Sequence, residues 1–97
     1  MIYLILWEPN SAFIPADPQE RMKFLMSFAE MTKKDLDSGD IKMWGVAPGG
    51  GQGFTIAEGE GKELMGGMMK YTPYYKFDVQ PMLSLDEVID VMKGMQK

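Results

Sequence analysis

Ile2-Tyr-Leu-Ile-Leu-Trp7 is an unbroken run of six large apolar or aromatic residues. It is too short to cross a membrane and too rich in strand-favouring side chains for a surface helix, so the sequence predicts a β-strand over Met1 to Pro9. Side chains alternate along a strand, which sends Tyr3, Ile5 and Trp7 to one face and Ile2, Leu4 and Leu6 to the other. Neither set is polar, so the strand has to be an inner one with both faces covered. Helices of the same chain can cover one face. The other needs either more of the chain or a second copy of it.

The chain has 97 residues, enough for one domain, 1–97, with a single core. Its net charge is -4, and Arg21 is its only arginine, a balance that argues against binding nucleic-acid phosphate. There is no Cys and no His, which removes disulfides, the usual zinc sites, a thiol nucleophile, an imidazole base and a histidine-ligated haem. No cofactor and no metal are expected, and any chemistry has to use Asp, Glu, Lys, Tyr, Ser, Thr or Arg. The opening run lacks a basic leader and is cut short by Glu8 and Pro9, so it does not resemble a signal peptide. A cytoplasmic location without membrane contact is the expectation. Met is abundant, at 11, and falls mostly in the predicted helices, where it fills gaps in a core or adapts to an apolar ligand.

Glu8 to Ala16 carries prolines and an Asn-Ser pair and suits a connection. Asp17 as N-cap, Pro18 as first helical residue and Glu20 returning a bond to the cap mark the start of a helix. Met22, Leu25, Met26, Ala29 and Leu36 form its apolar face, widened by Phe24, Phe28 and Met31, and Ser38-Gly39 ends it. Ile41 to Val46 and Phe54 to Glu58 are strands joined by the glycine-rich Pro48 to Gly53, whose spacing fits a mobile hairpin and no nucleotide-binding loop. Lys62 to Tyr71 suits a short helix weakened by Gly66 and Gly67, and Thr72-Pro73 stops it. Phe77 to Leu83 suits a fourth strand with Pro81 at an edge. Ser84 and Glu87 then form a capping box ahead of a last amphipathic helix bearing Leu85, Val88, Ile89, Met92 and Met95.

The order strand, helix, strand, strand, helix, strand, helix is a ferredoxin-like βαββαβ arrangement with an extra C-terminal helix, an α+β fold on an antiparallel four-stranded sheet. Right-handed crossovers place the first two helices on one face, leaving the other bare and apolar. A homodimer joined through that sheet face is the expected solution. The opening strand, the Trp44 strand and the run Tyr71-Thr-Pro-Tyr-Tyr-Lys-Phe-Asp-Val-Gln-Pro81 resemble those of the dimeric α+β barrel superfamily. Within it the chain looks most like small uncharacterised proteins related to muconolactone isomerase. That superfamily includes isomerases, cofactor-free monooxygenases, haem-degrading proteins and ligand-sensing modules; this chain departs from its better-known active members in having no histidine.

The candidate ligand-binding residues are Trp7, Arg21, Trp44, Tyr71, Tyr74 and Tyr75. Their rings suit a pocket for a planar apolar ligand and equally suit core or dimer packing. Arg21 is either half of an ion pair with Asp17 or Glu20 or an anchor for a ligand carboxylate. Glu8 is either an exposed strand-end carboxylate or, if buried, a proton acceptor. Lys76 and Asp78 share a strand face and suit cross-strand pairing. Two functions follow. One is a homodimeric protein binding an apolar or aromatic small molecule, with isomerase or cofactor-free monooxygenase chemistry implied by the resemblance. The other is a non-catalytic self-association or interaction module.

Overall fold

A computed structural model of the chain describes residues 1–96. It contains β1 (Ile2–Pro9), a 3₁₀ turn at Ser11–Phe13, α1 (Pro18–Ser38), β2 (Ile41–Val46), β3 (Gly53–Glu58), α2 (Gly61–Met68), β4 (Tyr75–Met82) and α3 (Leu85–Met95). The strands form one antiparallel sheet in the order β2-β3-β1-β4. This is the ferredoxin-like α+β arrangement, followed by α3. The doubly apolar β1 is hydrogen-bonded on both sides, to β3 and to β4. Pro81 lies in β4 at the sheet edge, where its missing N–H costs no ladder bond.

Register assigns the faces. Tyr3, Ile5 and Trp7 stand opposite Ala57, Thr55 and Gly53 on one side and Pro81, Val79 and Phe77 on the other. This inner face holds the buried core, Ile5 at 3% exposure with Trp7, Thr55 and Ala57. Leu4 and Leu6 share the outer face with Ile56 and Phe54. There Leu6 and Met43 remain 41% and 56% exposed. A bulge between Ile41 and Met43 shifts the register of β2 by one residue, so that Ile41 faces Ala57 and Trp44 faces Thr55. Strict alternation would send Ile41 and Trp44 to opposite faces. The extra residue turns Trp44 to the inner side with Trp7.

The helix boundaries follow from their caps. Asp17 Oδ2 accepts from the Glu20 backbone N–H at 3.0 Å, and Gly39 closes α1 with φ 87°. The expected capping box is only half formed, because the Glu20 carboxylate turns instead towards Lys23. In α3 the box is complete: Ser84 Oγ accepts from the Glu87 N–H at 3.2 Å and Glu87 Oε1 from the Ser84 N–H at 3.1 Å. These bonds hold the Glu87 carboxyl below its ordinary value, the backbone N–H first among them.

Of the expected apolar face of α1, Leu25, Ala29, Leu36 and Phe28 turn towards the sheet together with Asp35, whereas Met22 and Met26 are exposed. Phe24 and Phe28 draw the helix onto the aromatic residues after α2, with Phe24–Tyr74 and Phe28–Tyr75 ring centroids 5.2 and 5.3 Å apart. Those ring contacts outweigh the flexible methionines in setting the rotation of α1. Elsewhere the shifts are small: α2 stops at Met68, before Tyr71, and β4 begins at Tyr75.

Ile5 lies at the centre of this small core. Ile5→Ala is expected to destabilise the fold by about 2–4 kcal/mol, measured as a lower urea midpoint at unchanged slope; an effect under about 0.5 kcal/mol would mean that the inner face is not a packed core.

Candidate functional site

Between the inner face of the sheet and the two helices lies a cavity of about 1000 Å³. It reaches the upper end of the range for small-molecule sites. Ile5, Trp7, Trp44, Val46, Thr55, Ala57 and Phe77 form its floor, Leu25, Phe28 and Leu36 of α1 its roof, and Gly49 and Gly50 of the β2–β3 hairpin part of its rim. The space between sheet and helices is thus incompletely filled by side chains.

Aromatic rings line it as a continuous path. Trp7 and Trp44 stack at 5.6 Å with 21° between their planes, and the edge of Tyr75 meets Trp7 at 5.6 Å and 87°. Phe28 joins Tyr75 and, at 5.7 Å, Tyr71. Gly53 makes the stack possible, because the Trp7 indole lies where a Cβ on residue 53 would stand. Trp44 is 39% exposed, so its stack is open on one side. The Trp7 Nε1–H is buried and has no hydrogen-bond partner among the described residues. It is sealed off from the cavity as well, so the indole meets the open space with its ring and not with its N–H.

A polar cluster closes the far end. Asp35 of α1 is 9% exposed. Its carboxylate accepts from Lys70 Nζ at 2.8 and 3.0 Å and from the Tyr71 hydroxyl at 2.7 Å. The Thr32 hydroxyl donates to the Phe28 carbonyl at 2.8 Å and stands 3.5 Å from the Tyr71 oxygen. Burial first, and then the Asp35 carboxylate, push the Tyr71 hydroxyl up to about 12, with Thr32 acting in the opposite sense. Burial also raises Tyr75. The Asp35 carboxylate is therefore held by hydrogen bonds from two side chains. The ammonium of Lys70 has a further N–H, and its side chain is 42% exposed, so it can meet a ligand oxygen.

The structure brings together Trp7, Arg21, Trp44, Tyr71 and Tyr75 as cavity-lining residues. Arg21 forms an ion pair with neither Asp17 nor Glu20; its Nη2 donates to the Ala16 carbonyl, at 3.4 Å. Tyr74 is not part of the lining and packs on Phe24 and Phe28. Glu8 stands apart, exposed on the outer face opposite Lys76, beside a shallower hollow that it shares with Lys76 and Asp78. Lys76 makes no ion pair with either carboxylate, and Asp78 instead accepts from Gln80 Nε2 at 3.3 Å. No group of Asp and Glu suited to a metal ion occurs among the described residues.

Sequence reasoning missed Phe28, Thr32, Asp35 and Lys70 as site residues. A signal was present: Arg21, Phe28 and Asp35 recur at two-turn spacing, so an acid and a base share the line of a buried ring. The profile of the domain of unknown function DUF3303 matches residues 1–96. The chain belongs to that family. No curated protein matches it. No helix among the described residues is long and apolar enough to cross a membrane.

The raised Tyr71 has a defined pH signature. Folding keeps its proton to about 12, whereas an unfolded tyrosine loses it near 10. The native state then binds more protons in that interval, so the contribution is intact below about pH 10 and lost as pH rises towards 12. Tyr71→Phe is expected to flatten the fall of the urea midpoint over that interval and to remove the latest tyrosinate absorbance step; an unchanged titration would refute the assignment. Asp35→Asn is expected to cost about 1–3 kcal/mol in the same denaturation assay at neutral pH.

Proposed function

We propose that the chain is a homodimeric, cytoplasmic small-molecule-binding protein whose cavity takes an apolar or aromatic metabolite. The observation that carries this reading is the open, ring-lined space between sheet and helices, where close-packed side chains would be the rule for a purely structural domain. Stacked indoles orient a planar ligand, and Lys70 offers it a donor at the polar end. The outer sheet face, with Leu6 and Met43 exposed, supports association of two sheets, as does the resemblance to dimeric α+β barrels. Isomerase or cofactor-free monooxygenase chemistry would have to use Asp35, Lys70 and Tyr71, the ionisable groups gathered at one end of the cavity.

A second reading, a non-catalytic self-association module, draws support from the closed Asp35–Lys70 pair and from the many exposed apolar side chains of α1 and α3. Thermal-shift screening against a panel of aromatic acids and neutral arenes separates the two. A ligand at about 100 times its Kd adds about 2.7 kcal/mol, which for a domain of this size raises Tm by roughly 10 °C or more. Trp7→Ala and Trp44→Ala should abolish the shift, while absence of any stabiliser would favour the second reading. Leu6→Asp is expected to weaken self-association, measured by analytical ultracentrifugation; an unchanged association constant would exclude the outer sheet face as the contact.

A further inference from the structure

The C-terminal helix is finished as a helix and unfinished as a packed element. Its N-terminus carries the complete Ser84–Glu87 box, and Leu85, Val88, Ile89 and Met92 repeat at helical spacing. Nonetheless every residue of α3 is exposed, from 37% at Val88 and Ile89 to 73% at Leu85 and 80% at Met95. An isolated helix of 11 residues is marginal in water, because too few bonds propagate from its nucleus. Something has to cover the stripe for the helix to persist.

The dimensions of the protomer say how much is uncovered. Its radius of gyration is 16.4 Å, against about 12.5 Å for a compact domain of this length. One axis reaches 62 Å while the others are 24 and 21 Å. A strand of eight residues spans about 26 Å and α1 about 31 Å, so neither accounts for the long axis and α3 extends the body. The accessible surface is 7212 Å², where a compact monomer of this mass exposes about 5600 Å². The excess of about 1600 Å² is about twice the 800 Å² that each partner contributes to a standard interface.

We infer that α3 docks on a second copy of this chain, each protomer of the dimer laying its C-terminal helix against the other. A two-fold pair covers both stripes with one kind of contact, and the excess area is of the size that such a mutual embrace removes. Only Leu83 and Ser84 separate α3 from the edge strand β4, so the helix is held out by a short joint and not by a long flexible tether. This inference rests on the homodimer proposed above and adds to the sheet contact a second, reciprocal one.

The test uses the full chain with the paired substitution Ile89→Asp and Met92→Asp. Both side chains are exposed in the protomer, so its circular dichroism and Ile5-centred core should survive. The dimer dissociation constant by analytical ultracentrifugation is expected to rise at least tenfold. In a mixture of methionine-methyl-labelled and unlabelled full chains, isotope-filtered NMR should show contacts from the Met92 and Met95 methyls to the unlabelled copy. A dimer whose constant does not change, or Met92 contacts confined to its own chain, overturns the exchange of α3 while leaving the sheet-face dimer standing. A full chain that is monomeric at its highest soluble concentration overturns both.

Discussion

The constraint on which the structure depends is that β1 is apolar on both faces and has neighbours on both edges. A central strand of this kind fixes the register of β3 and β4 against it, because sliding either by one residue would exchange the inner and outer sets of side chains. The chain then has only α1 and α2 to lay over the inner face. They enclose the cavity without filling it, and Ile5, Trp7, Phe28 and Ala57 make up the buried apolar core among the described residues.

What keeps the roof in place over a partly empty space is a polar tie. Asp35 on α1 holds Lys70 and Tyr71, which lie beyond α2 on the way to β4, so one carboxylate links two stretches far apart in the chain. A half-buried ion pair contributes little net stability, since desolvation offsets much of its attraction. Its role is positional: it ties α1 to the segment that leads from α2 into β4. The aromatic path from Trp44 to Tyr71 runs along the gap between sheet and helices.

The architecture was legible because local signals agreed. The Asp17-Pro18 start, the Gly39 stop, the Ser84 box and the Pro81 edge strand all lie where their side-chain chemistry places them. The site was legible only in part. Trp7, Trp44 and Tyr75 were legible as rings gathered at strand ends, but which face they share was not, and Trp44 joins the other two through a bulge at Lys42 that no residue in Ile41 to Val46 announces. Asp35 stands on the line of Arg21 and Phe28, but its partners Lys70 and Tyr71 lie beyond α2, and periodicity within one helix does not encode that pairing. Met22 and Met26 left the expected stripe for the same reason: rings from a later segment turn α1 so that Leu25, Phe28 and Leu36 face the sheet and these methionines do not.

The bulge in β2 has an optical consequence. Both tryptophans of the chain sit in the single stack on the cavity floor, with none elsewhere to add background. Indole emission from this molecule accordingly originates at one place, on the floor of the open space between sheet and helices. The fold carries a built-in spectroscopic gauge of the polarity and occupancy of its own interior.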